Sequence, residues 1–217
     1  MTITIALAGK GGTGKTTVAA MIVRYLTTHK LGSVLAIDAD PSSNFNQVLG
    51  LPLDETVGNI REDMLDQIQA SVTQGGALMG TLPSGQTKQD YLDYQIRMAL
   101  VEGDHVDLIA MGRPEGPGCY CPANNILRLV IDRLSDHYDF VVMDNEAGME
   151  HLSRRTTRDV ALLLVISDPT QRGMTAAARI AALRHELSIG VKDAYLIVNR
   201  VPGGELPQPL AAAAAEM

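Results

Sequence analysis

The sequence predicts an α/β fold: a doubly wound, mostly parallel sheet flanked by helices, in one domain spanning residues 1–217. Three observations carry this. Short apolar runs recur with almost no polar alternation, as in strands buried on both faces. Segments with helical periodicity separate most of them. A glycine-rich loop lies between the first run and the first such segment.

The elements follow in order. Residues 2–8 (TITIALA), 33–38 (SVLAID), 106–111 (VDLIAM), 139–144 (DFVVMD), 160–166 (VALLLVI) and 194–199 (AYLIVN) read as strands. Lys15 to Thr28 reads as a helix, with Val18, Ala19, Met21, Ile22, Tyr25 and Leu26 at helical spacing and Gly32 as a stop. Pro122 to Asp136 opens on a first-turn proline and stacks Ile126, Leu127, Val130, Ile131 and Leu134. Thr170 to Leu187 is alanine-rich and helical. Residues 54–104 break the alternation and read as an insertion, with helical character over Val57–Ala70 and Asp90–Leu100. The tail LPQPLAAAAAEM extends a helix or frays.

Composition narrows the function classes. The chain has 217 residues, 46% hydrophobic and 20% charged, as expected of a globular protein with a sizeable core. A formal charge of -7 argues against general nucleic-acid binding, which needs a basic face. No apolar run reaches the roughly 18 residues of a membrane span, so no membrane partner is expected. The N-terminal MTITIALAG lacks a basic leader and reads as a strand. Two cysteines, two residues apart, make no disulfide framework and fit reducing cytoplasm.

Gly9, Gly14, Lys15 and Thr16 fill the pattern G-x-x-x-x-G-K-T between a strand and a helix. That context identifies a phosphate-binding loop and a P-loop NTPase fold. Its glycines turn N–H groups inward, and the helix N-terminus adds partial positive charge. Gly11, Gly12, Thr13, Gly14, Lys15, Thr16 and Thr17 are thus the expected ATP contacts. Lys15 reaches the β- and γ-phosphates, and the Thr16 hydroxyl ligates Mg²⁺.

Lys10 is not needed to hold phosphates of its own chain. KGGTGKT resembles the deviant phosphate loop of the Min/Par, arsenite-pump and nitrogenase iron-protein ATPases. The resemblance implies that Lys10 reaches across a dimer to the partner's nucleotide and is catalytic there; otherwise it is a solvated lysine. It assigns Asp40 to positioning the attacking water and Asp38 to the metal's surroundings. Both stand at a strand's carboxyl edge, where α/β sheets bind ligands; turn or capping chemistry in DPSSN is the other reading, and it weighs more for Asp38 than for Asp40. FVVMD places Asp144 near Mg²⁺, and Gly148 in the following NEAGMEHLSRRTT lets backbone approach a γ-phosphate. Arg154, Arg155 and Arg158 form a small basic cluster there. Asn199, followed by Arg200, can read an adenine edge or simply end a strand.

GRPEGPGCYCPANN, residues 112–125, holds Cys119 and Cys121 just before a helix start, which favours thiolates. Two thiolates are half a closed metal site. A two-fold dimer would deliver four, and soft sulfur selects Zn²⁺, Cu⁺, Ni²⁺ or an iron–sulfur cluster. The other reading is a pair of small buried hydrophobes. EGPGCYC together with DNEAGMEHLSRRT resembles the nickel-insertion accessory ATPases of carbon monoxide dehydrogenase and acetyl-CoA synthase maturation. The likeness runs from the phosphate loop to VNR. It implies ATP-dependent homodimerisation, Ni²⁺ (or Zn²⁺) bridged by Cys119 and Cys121 of both copies, and delivery to carbon monoxide dehydrogenase or acetyl-CoA synthase. One departure is that the chain after VNR is shorter than in that family. Three rivals share the loop: a Min/Par-type partition or positioning ATPase, an ATP-dependent iron–sulfur protein, and a purely structural zinc dimer.

Overall fold

A computed structural model describes residues 2–40, 42–60, 62, 63, 66, 87–112, 132–145, 159–186 and 190–215. Six parallel strands form one sheet: β1 (Ile3–Ala8), β2 (Val34–Ala39), β3 (Asp107–Ala110), β4 (Phe140–Asn145), β5 (Asp159–Ser167) and β6 (Gly190–Val198), in the order β3-β2-β4-β1-β5-β6. Five helices have defined bounds, α1 (Lys15–Thr28), α2 (Phe45–Leu49), α3 (Lys88–Met98), α4 (Gln171–Glu186) and α5 (Gln208–Ala215), and residues 57–60 are helical as the 57–70 reading expects.

All six apolar runs are strands, within a few residues of expectation. From β1, at the sheet's middle, the chain winds outward to β2 and β3, then reverses direction to reach β4, beside β1, and goes on to β5 and β6. Such a switch opens a crevice at the strands' carboxyl ends, where the site is expected.

Alternation along the strands splits the core in two. Ile5, Leu7, Val34, Ala36, Val142 and Leu164 face α1, whose Ala19, Val23 and Leu26 close over them. Ala6, Ala8, Leu35, Ile37, Val141, Met143 and Val165 face the other way, against Ala177 and Ile180 of α4. Both layers are buried, which explains why the strands read as continuous apolar runs.

One expectation needs correction. The buried stripe of α1 is Lys15, Ala19, Val23 and Leu26, while Met21 (65% exposed) and Tyr25 (59% exposed) face outward. Helical spacing marks two adjoining apolar rows here, and only one can face the sheet. Within the 54–104 insertion, Val57, Ile60, Tyr91, Ile96 and Ala99 pack into the same cluster as Leu35 and Ile109. The helix begins at Lys88 because the Thr87 hydroxyl accepts from the Asp90 amide, an N-cap within TKQD. Residues 132–135 are helical at the end of the expected 122–136 helix, whose earlier part lies outside the described residues. The alanine-rich tail forms α5.

Candidate functional site

β1 delivers the chain to the carboxyl edge, where residues 9–14 turn back into α1. Lys15 and Thr13 are buried, Thr16 is half-buried, and Lys10, Gly11, Gly12 and Thr17 are exposed. Inside the loop, the Lys10 carbonyl accepts from the Thr13 hydroxyl at 2.9 Å and from the Thr13 amide at 3.4 Å. Gly14 precedes α1 at φ 94°, and a Cβ there would sit 2.5 Å from the Asn199 amide nitrogen. Glycine meets both the dihedral and the close approach. No acidic residue stands in the first turn of α1, so its N-terminal partial charge is left for an anion.

Asn199 bridges the far end of the sheet to this loop. Its Nδ2 donates to the Thr13 carbonyl at 2.9 Å, and its Oδ1 accepts from the Arg200 amide at 2.9 Å. Its own backbone N–H donates to the Ser167 carbonyl, holding the turn against β5. Arg200 is exposed and takes a left-handed conformation, φ 59°. One Nδ2–H and one Oδ1 lone pair of Asn199 remain for a ligand.

The acids come from β2 and β4. Strand register pairs Asp38 with Asp144, both 1% exposed, on the α1 side of the sheet. Asp38 Oδ1 accepts from the Asp40 amide (3.1 Å) and Oδ2 from the Phe45 amide (2.9 Å), so this carboxylate shapes the 40–45 loop. Asp40 is half-buried, and its Oδ1 accepts from the Ser42 amide at 2.8 Å, a local turn bond. The Thr16 hydroxyl stands close enough to Asp144 to favour its ionised form, which puts two of the three expected magnesium ligands side by side. Asp144 Oδ1 is buried and has no hydrogen-bond partner among the described residues.

Burial pushes the Asp38 carboxyl up to about 6, with the charges of Asp144 and Asp40 adding to it and the Phe45 and Asp40 amides opposing it. Burial also raises Asp144, against the Thr16 hydroxyl and the Lys15 charge. Two enclosed carboxylates side by side, one with an idle oxygen, next to a buried lysine, suit a cation brought in with a phosphate.

The chain matches the CobQ/CobB/MinD/ParA nucleotide binding domain over residues 4–216. It belongs to that family. An ATP-binding protein of Methanocaldococcus jannaschii is 46% identical over 197 residues, covering 91% of this chain and 74% of that protein. The carbon monoxide dehydrogenase accessory protein CooC of Rhodospirillum rubrum is 30% identical over 200 residues, again covering 91% of this chain and 74% of that protein. Among solved structures, the septum site-determining protein MinD of Pyrococcus horikoshii, complexed with Mg-ADP, shares the fold at a TM-score of 0.65 and 22% identity, over all of this chain and 78% of that one. This is therefore a member of a family of ATP-binding P-loop ATPases.

The structure gathers Lys15, Thr16, Asp38, Asp40, Asp144 and Asn199 around the loop within one edge of the sheet. Cys119, Cys121, Gly148, Arg154, Arg155 and Arg158 lie outside the described residues. Two features escaped the sequence reading. The link from Asn199 to Thr13 spans 186 positions and has no local signal. Asn145, fully buried beside Asp144, had one: an amide directly after an acid that ends an apolar run.

No described helix is long and apolar enough to cross a membrane. Among the described residues there is no cluster of three or more His, Cys, Asp or Glu side chains able to hold a metal.

Proposed function

We propose that this chain is an ATPase that works as a metallochaperone, closing as a homodimer on ATP and carrying Ni²⁺ to carbon monoxide dehydrogenase or acetyl-CoA synthase. The observation that carries the ATPase reading is the buried Asp144 carboxylate, its Oδ1 without a partner among the described residues, beside Thr16 and buried Lys15 at the start of α1. The nickel reading rests on Cys119 and Cys121 in EGPGCYC and on the likeness to CooC.

ATP lies with its phosphates along residues 9–17. Backbone N–H groups and the α1 N-terminus hold the β-phosphate, and Lys15 spans to the γ-phosphate. Thr16, Asp144 and Asp38 would hold Mg²⁺, which would supply positive charge to the β- and γ-phosphates. Asp40 holds the attacking water, whose oxygen bonds to the γ-phosphorus as the bond to the bridging oxygen breaks; ADP and phosphate leave. Lys10, exposed on its own chain, stabilises that charge in the partner's site. Cys119 and Cys121 of both copies grip one metal ion at the two-fold axis. Loss of the γ-phosphate loosens the dimer and the ion together, because metal and nucleotide each favour the closed pair.

The test is metal content by sizing chromatography, with and without ATP, on wild type and on Cys119→Ser/Cys121→Ser. The expected result is one Ni²⁺ per ATP-loaded dimer in wild type and none in the double variant. Nickel retained by the double variant, or dimers formed by metal regardless of ATP, defeats the reading. Bound iron with a visible absorption band favours the iron–sulfur alternative. ATP-dependent dimers that hold no metal return the chain to the Min/Par-type positioning class.

A further inference from the structure

Asn145 is fully buried at the last position of β4, and its side chain lies on the sheet face opposite Asp144. Its Nδ2 donates across the sheet to the Leu7 carbonyl of β1 at 2.9 Å, and at 3.4 Å to the Met143 carbonyl of its own strand. Its Oδ1 has no partner among the described residues. A side-chain amide enclosed with one end idle is costly, and an apolar residue would fill the same space more cheaply. The committed end is therefore the one that matters.

Its position says why. The registered pairs of β1 with β4 end at Leu7–Asp144, and β1 runs on for one more residue before the phosphate loop. On the other flank Gly9 presses so closely on the Ile166 carbonyl of β5 that no side chain fits between them. The root of the loop is thus wedged by β5 on one side and stapled to β4 on the other. The staple is a side chain placed where backbone pairing with β4 gives out.

We infer that Asn145 is a positioning residue for nucleotide binding: its amide, through the Leu7 carbonyl, fixes where the phosphate loop leaves the sheet. It touches neither nucleotide nor metal. The inference rests on the ATPase reading for its purpose, but its physical content is a statement about the loop in the nucleotide-free protein.

Asn145→Leu keeps the volume and removes the donor; Asn145→Asp keeps the shape, removes the donor and adds a charge. In the nucleotide-free full chain, amide hydrogen exchange over residues 9–16 is expected to quicken about tenfold in both, the loss of one buried hydrogen bond. Amides of β2 and β5 stay within about twofold of wild type. In steady-state kinetics, KM for ATP rises about tenfold while kcat changes less than about threefold, because the loop holds substrate and transition state alike. Unchanged loop exchange in either folded variant overturns the inference, as does a uniform quickening across the whole sheet, which marks a merely structural residue. If Asn145→Leu does not fold, Asn145→Asp decides the question alone, with Asn145→Ser as its replacement. Wild type that binds no ATP defeats the ATPase reading, while the exchange result still judges Asn145.

Discussion

Asn199 serves two segments at once, and under the proposed function its remaining hydrogen-bonding groups are expected to set a base preference. With one Nδ2–H spent on Thr13 and one Oδ1 lone pair on Arg200, it offers a purine one donor and one acceptor side by side. Adenine presents the complement, N7 to accept and the N6 amino group to donate; guanine sets its O6 against Oδ1. Asn199→Ala is therefore expected to weaken ATP binding about tenfold or more and to erase most of the preference for ATP over GTP, on the scale of about 1–3 kcal/mol for such a pair. Competition titrations with both nucleotides measure this. Equal loss for ATP and GTP would reduce Asn199 to a support for Thr13. At this scale the sequence revealed what is written locally. Gly9, Gly14, Lys15 and Thr16 stand in one short pattern, and Asp144 ends an apolar run. The contact between Asn199 and Thr13 depends on β6 lying two strands from β1, which no spacing encodes.

At the scale of elements, continuous apolar character located all six strands; those inside the sheet are covered on both faces and need no polar alternation, while β6, at the edge with no fully buried residue, showed only in its Ala194–Val198 stretch. The same rule could not tell which apolar row of α1 meets the sheet, since Met21 and Tyr25 extend a stripe that geometry leaves in solvent. Residues 54–104 were harder, because glycines and polar residues interrupt any period. Yet α3 is tied into the core: Ile96 is fully buried, and it shares a cluster with Ile60, Leu35 and Ile109. Ile96→Ala is expected to destabilise the protein by about 2–5 kcal/mol, the range for emptying a packed aliphatic site. Urea unfolding followed by circular dichroism reads it directly. A loss under about 1 kcal/mol would mean that α3 docks as a loose appendage.

For the molecule as a whole, the buried acids tie stability to pH and to the nucleotide. Asp38 titrates at about 6 in the folded chain against an ordinary value of 3.8, and Asp144 is raised as well. From about pH 4 to about pH 7 the folded state thus binds more protons than the unfolded chain, and its stability falls as pH rises through that window. Below the window both states are protonated; above it the cost is complete, up to about 3 kcal/mol from Asp38. Other carboxylates pull the opposite way in strong acid, so the limb is clearest from pH 5 to 7. Urea midpoints of the nucleotide-free protein are expected to fall over that range. Asp38→Asn removes the ionisation and flattens the limb. Mg²⁺ with ATP also flattens it, by offering the two carboxylates a cation in place of the proton, so nucleotide affinity weakens as pH drops below about 6. A wild-type midpoint that climbs steadily from pH 5 to 7, unaltered in Asp38→Asn, would show that these acids are comfortably ionised without a metal. The magnesium site drawn from Thr16, Asp38 and Asp144 would then have lost its electrostatic basis.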